Sequence, residues 1–259
     1  MLKKSKKVSK LLKDLHQSKS KGLAWLIDPD KWQGTDHFLK NFSWVQESGL
    51  DLILIGGSHL EKNNFDKVVS TIRQHTGKIP IVIFPGSQMQ LSEAADAILF
   101  LSLISGRNPE FLIGQQVAAA PLVNSMGLEV LPTGYLLVND GEIHSVHAVS
   151  QTLPIPNSKS KLVKATALAG YFLGMRYFFL DAGSGAQKPV SSQVIETLSK
   201  AISCPLIIGG GIDSQEKVRE AYEAGADLVV LGNSIEKDPD FLAEVLNFKA
   251  WYNSTLNVN

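Results

Sequence analysis

The sequence predicts an α/β fold, a single (β/α)8 barrel, and three observations predict it. Eight short apolar runs rich in β-branched residues recur along the chain, and runs of this kind read as buried parallel strands. Most of them alternate with amphipathic helical segments, the order of a repeated βα unit. The length of 259 residues matches the ~250 that one such barrel typically uses. An open doubly wound sheet is the alternative, but eight units favour closure.

The elements follow in order. The first stretch, MLKKSKKVSKLLKDLHQSKSKG, places Leu2, Val8, Leu11, Leu12 and Leu15 on one helical face among lysines. Such a helix closes one end of a domain, or lies as a basic amphipathic helix on an anionic membrane. Strand Leu23–Ile27 comes next, then a helix over Thr35–Ser48, strand Leu52–Ile55 and a helix over Asn64–Gln74. Strand Ile79–Phe84 stops at Pro85-Gly86. The polar segment before Ala97–Leu101 is too short for a normal crossover helix, so the helix after the third strand is missing or replaced. Pro109–Met126 is helical in pattern and Glu129–Val138 is strand. VNDGEIHSV reads as a hairpin because Asp-Gly is a strong turn signal, with His144 and His147 facing solvent. A helix over Lys159–Gly174 and strand Tyr177–Leu180 follow. Then come helix Ser191–Ser203, strand Leu206–Ile208, helix Ser214–Ala224, strand Leu228–Leu231 and helix Asp238–Trp251. No linker or second domain interrupts residues 1–259.

Composition narrows the function. The formal net charge is zero, without the basic excess of a nucleic-acid binder. Cys204 is the one cysteine, so no internal disulfide forms and a cytoplasmic setting is expected. It heads an apolar run and reads as core filler. No apolar stretch reaches the ~18 residues of a membrane span.

Glycines mark the site. Gly209, Gly210 and Gly211 end one strand, and Gly232 and Asn233 end the next. Barrels often bind phosphate between their last two strand-end loops, and glycine lets backbone N–H groups come close to the ligand. The helix starting near Ser214 adds its positive end. A third glycine loop, FFLDAGSGA, offers Asp181 and Ser184 at a strand end. LIDPDKW places Asp28 at the end of the first strand, where a carboxylate beside phosphate suits Mg2+; it also suits an Asp-Pro-Asp turn. Ser58, at the end of the second strand, stands ready for the same ion. His59 has no metal-ligand partner at suitable spacing and reads as a loop residue. AILFLSLISG and FLIGQQVAAAPLV, with Ala118, Ala119 and Ala120, are either an apolar groove or plain core.

The strings LIDPDK, LILIGGS, VIFPGS, LPTGYLLV, FLDAGSGA, IIGGGI and LVVLGNSIEKDP occur in that order. On these, the chain resembles the geranylgeranylglyceryl phosphate synthase family, also called the heptaprenylglyceryl phosphate synthase family in some bacteria. The resemblance runs from about Leu23 to Trp251. It implies a modified barrel lacking the usual third helix. It implies Mg2+-dependent transfer of a prenyl group from a polyprenyl diphosphate, usually geranylgeranyl, to sn-glycerol 1-phosphate, in ether phospholipid biosynthesis. By position it implies Asp28 and Ser58 for the metal. Phe179, Leu180, Asp181, Ala182, Gly183, Ser184 and Gly185 would form the glycerol phosphate loop, with Asp181 catalytic. Gly210, Gly211, Gly232 and Asn233 would clamp the phosphate. It implies a homo-oligomer, dimer or hexamer. The family commonly reads Tyr-Leu-Glu where this chain has Phe179-Leu180-Asp181. Some branches carry lysine where Leu26 stands, so this chain is similar to the second branch. A phosphosugar isomerase, a non-catalytic phosphate- or flavin-binding barrel, and a synthase for another prenyl length or three-carbon acceptor are the other expectations.

Overall fold

The computed structural model describes residues 7–256 apart from 59, 63, 88 and 89. Leu2 and His59 therefore lie outside the described residues. The strands are β1 (Gly22–Ile27), β2 (Leu52–Ile55), β3 (Ile81–Ile83), β4 (Ala97–Leu103), β5 (Glu129–Asn139), β6 (Ile155–Pro156), β7 (Tyr177–Asp181), β8 (Leu206–Gly209) and β9 (Leu228–Leu231). They lie in the order β4-β3-β2-β1-β9-β8-β7-β5, and β4 pairs with β5 to close the barrel. Every ladder is parallel. The two-residue β6 extends the tip of β5.

Parallel strands covered on both faces need apolar side chains at odd and even positions. These strands supply them to two layers. Ile53, Ile55, Leu180 and Ile208 pack outward against the helices. Leu52, Leu54, Phe179 and Ile207 fill the barrel interior. The helices are α1 (Lys7–Ser18), α2 (Thr35–Phe42), α3 (Phe65–His75), α4 (Gln115–Met126), α5 (Ser145–Ser150), α6 (Ser160–Phe172), α7 (Ser192–Ser199), α8 (Gln215–Ala224), α9 (Asn233–Lys237) and α10 (Asp240–Leu256).

The N-terminal helix seals the barrel floor. Val8, Leu12 and Leu15 of α1 are buried in the interior layer. The Glu129 carboxylate accepts from the amides of Val8 (3.0 Å) and Ser9 (2.9 Å), so a residue 120 positions away caps the helix. The apolar face of α1 is thus spent inside the protein. Among the described residues no helix is long and apolar enough to cross a membrane.

Two expectations about connections fare differently. Among the described residues no helix joins β3 to β4. Instead the buried Gln90 pins two loops: its Oε1 accepts from Gly57 N (3.3 Å) and Gly86 N (3.1 Å), and its Nε2 donates to Gly57 O (2.7 Å). The predicted hairpin over Val138–Val146 does not form. The Asp140-Gly141 turn is real, with Gly141 N donating to Asn139 Oδ1 at 2.7 Å, but the chain then enters α5. β4 and β7 flank β5 as far as Leu137, and the tip at Val138 and Asn139, where a hairpin would start, pairs with β6 instead.

Candidate active site

The strand ends and their loops enclose a polar cavity of about 550 Å³. Beside it lies an apolar cavity of about 80 Å³. Ser58, Pro85, Gly86, Leu101, Tyr135 and Val146 line both, so the two cavities share a wall.

At the end of β7, Asp181 is buried. Its Oδ2 accepts from Tyr135 Oη at 2.6 Å, and its Oδ1 accepts from Gly183 N at 2.7 Å. Burial, then the Asp181 charge, pushes the Tyr135 phenol well above its ordinary pKa, so it stays protonated and donates. Gly210 (φ +80°) and Gly211 (φ +70°) hold left-handed backbone. A Cβ on Gly210 would lie 2.6 Å from Asp181 Oδ1, and one on Gly211 would lie 2.8 Å from the Lys188 backbone. Conformation and close approach both require glycine there. Ser214 caps α8 by accepting from Lys217 N at 3.3 Å.

Asp28 lies across the polar cavity. Its Oδ1 accepts from Asp30 N at 3.0 Å, and its Oδ2 is 3.9 Å from the Lys31 ammonium. Burial raises the pKa of this carboxyl, opposed by the Asp30 N–H and the Lys31 charge. Lys31 Nζ also bonds Asn233 Oδ1 (2.9 Å) and Glu236 Oε2 (2.8 Å), and Ser184 Oγ donates to Asn233 Oδ1 at 3.1 Å. Lys31 thereby ties the β1 loop to the start of α9. Asp30 is both turn and tether: it accepts from the amides of Glu61 and Lys62.

The structure gathers Asp28, Ser58, Phe179, Asp181, Ser184, Gly185, Gly210, Gly211, Gly232 and Asn233 around the polar cavity. Leu180 and Ala182, expected in the glycerol phosphate loop, are fully buried in the outer layer and face the helices. Side chains alternate along a strand, so a contiguous motif cannot all face one cavity. Gly183 stands behind Asp181 as its backbone donor. Of the three alanines in α4, Ala119 lines the apolar cavity, while Ala118 and Ala120 are exposed. Ile98–Leu101, Leu103 and Phe111 line it too, and they also belong to or pack against the core.

Tyr135, Lys31 and Glu236 line the polar cavity without having been expected there. Each lies in a string quoted above, LPTGYLLV, LIDPDK and LVVLGNSIEKDP, and Lys31 also stands three residues after Asp28. His147, expected to face solvent, is buried. Its Nδ1 accepts from His144 N at 3.0 Å, closing a capping box at the start of α5. His144 Nε2 bonds Glu142 Oε2 at 3.1 Å, which also accepts from Gln187 N. Burial, then His144, lowers the His147 pKa, opposed by the Asp181 charge. Cys204 is buried, and burial raises its thiol pKa, as core filler should show.

The sequence pattern of the PcrB family matches residues 16–249. A geranylgeranylglyceryl phosphate synthase from Spirosoma linguale is 44% identical over 246 residues, covering 95% of this chain and 98% of its own. One from Thermococcus gammatolerans is 42% identical over 213 residues, covering 82% and 83%. The (S)-3-O-geranylgeranylglyceryl phosphate synthase of Thermoplasma acidophilum, crystallised with its substrate sn-glycerol-1-phosphate, superposes with a TM-score of 0.81. It is 31% identical and covers 91% of this chain and 94% of its own. Thiamine phosphate pyrophosphorylase from Pyrococcus furiosus, 13% identical with a TM-score of 0.56, shares the fold.

Proposed function

Because the chain belongs to the PcrB family, we propose that it is a prenyltransferase that makes geranylgeranylglyceryl phosphate from geranylgeranyl diphosphate and sn-glycerol 1-phosphate. The observation that carries this reading is the shared wall between a polar and an apolar cavity. An amphiphilic donor needs both: the first carbons of its tail belong in the apolar cavity, which is too small for the whole chain, and its diphosphate belongs in the polar one. The acceptor phosphate belongs on the amides of Gly210 and Gly211, with Ser184 and Asn233 beside it.

The reaction joins the free terminal oxygen of the glycerol to C1 of the prenyl chain. The C1–O bond to diphosphate breaks, and its electron pair leaves with the diphosphate. The hydroxyl proton passes to the Asp181 carboxylate, a general-base role typically worth ~10²–10⁴-fold. Holding both substrates in one cavity turns a bimolecular encounter into a positioned one.

Charge argues for a cation. Asp28, Asp30, Glu61, Asp181, Asp213 and Glu236 line the polar cavity, against Lys31 and Lys237. A cavity this acidic does not hold a phosphate and a diphosphate unaided. Asp28 fits the need, since its Oδ2 faces a cation already, the Lys31 ammonium. Asp28, with Ser58 beside it, would hold Mg2+, which neutralises charge developing on the leaving diphosphate.

The test is a reaction of purified protein with geranylgeranyl diphosphate and sn-glycerol 1-phosphate, with and without Mg2+, and with sn-glycerol 3-phosphate in parallel. A Mg2+-dependent ether product from the 1-phosphate is expected. Absence of product from both acceptors would overturn the reading.

A further inference from the structure

We propose that Tyr135 is a positioning residue that fixes the Asp181 carboxylate in the attitude needed to take the acceptor's proton. The inference rests on the reading of Asp181 as general base. It starts from a deficit in this chain. Phe179 carries no hydroxyl, and Asp181 has a short side chain with little reach of its own. A carboxylate at a cavity edge turns about its last bond unless something holds it.

Two donors from different elements hold this one. Gly183 N, on the loop after β7, takes Oδ1; Tyr135 Oη, from β5, takes Oδ2. With one donor on each oxygen, the carboxylate plane is set. Each oxygen retains a second lone pair for the acceptor hydroxyl.

The phenol is itself held. Tyr135 stands opposite Phe179 in the β5–β7 ladder. The Phe84 and Phe179 rings are stacked at 4.8 Å. Tyr135 meets each of them edge-on, at 5.7 Å and near 90°. These contacts fix where the ring, and so its hydroxyl, can lie. Gly134 beneath it leaves room for the Phe178 ring, 2.9 Å from where a Cβ would be, so β5 is seated closely on β7. Tyr135 lines both cavities. Its hydroxyl therefore organises Asp181 at the border where the prenyl carbon and the acceptor oxygen meet.

The experiment is a double-mutant cycle of Tyr135→Phe and Asp181→Asn, with kcat and KM measured in each protein and the affinity for sn-glycerol 1-phosphate measured by calorimetry. Tyr135→Phe removes one oxygen and keeps the ring, so its thermal midpoint reports whether packing is intact. It is expected to lower kcat roughly 10- to 100-fold, the range for a hydrogen bond to a charged group, with acceptor affinity within about twofold. Adding it to Asp181→Asn is expected to lower kcat no further, because it acts through the group already removed. Wild-type kcat in Tyr135→Phe, beside a crippled Asp181→Asn, would overturn the inference and leave the general base standing. Multiplying effects in the double variant would also overturn it. Wild-type kcat in Asp181→Asn would overturn both.

Discussion

Burial opposes the charge on Asp28, yet the reading of the site needs that charge. Partial burial raises the pKa of the carboxyl, opposed by the Asp30 N–H and the Lys31 charge, so the folded state disfavours the ionised form. A residue kept for a functional charge costs stability. Asp28→Asn keeps an oxygen to accept the Asp30 N–H while removing the half-buried charge. In metal-free buffer it should melt about 2 °C higher than wild type, and with Mg2+ present its kcat should fall by at least ~100-fold. Calorimetry and the coupled assay check the two halves. Gly210 is the opposite case, a residue whose value is having no side chain. Gly210→Ala puts a Cβ 2.6 Å from Asp181 Oδ1 in a left-handed backbone. The strain alone costs roughly 1–2 kcal/mol, and the displaced carboxylate should depress kcat as well.

Two helices owe their start to distant or unusual partners. The first turn of α1 rests on the Glu129 carboxylate. Glu129→Ala should lower stability by about 1–2 kcal/mol, the usual effect of a lost cap, measurable by denaturant unfolding with activity retained. The start of α5 rests on two histidines, and this makes it sensitive to acid. His147 accepts a backbone N–H through Nδ1 and is held below its ordinary pKa by burial and His144, with Asp181 pulling the other way. The unfolded chain binds a proton near pH ~6.5, whereas the folded one resists it. A lowered histidine pKa means stability is complete above that pH and falls as pH drops through it. Wild type should therefore melt lower at pH 5.5 than at pH 7.5, and His147→Asn, which can still accept the bond, should lose less over the same interval.

At the scale of the whole chain the barrel was legible because its signal is local. A buried parallel strand is a short apolar run, and all eight barrel strands lie where such runs lie. The glycine ends of β8 and β9 were legible for the same reason. What escaped was non-local or ambiguous. Tyr135 reaches Asp181 across 46 residues. The start of α5 went unseen because histidine is not a usual cap. Leu180 and Ala182 share the FLDAGSGA string with Asp181, but side chains alternate along a strand, and these two face the helices. A whole-molecule test of the clamp is available in binding linkage. At a hundredfold excess over Kd, sn-glycerol 1-phosphate should stabilise the protein by about 2.7 kcal/mol. Gly210→Ala should abolish that gain, as read by thermal shift.

The clamp proposed for the acceptor phosphate rests on peptide N–H groups of Gly210 and Gly211. Such groups respond to the charge and reach of a phosphate, and they are blind to the handedness of the carbon beyond it. The 1- and 3-phosphates of glycerol are mirror images and satisfy the clamp equally. Telling them apart takes contacts beyond the phosphate, around the central carbon. Asp181, locked from two sides, supplies one with a direction. Loosening it should blur the enzyme's sense of left and right before it weakens its grip on the phosphate.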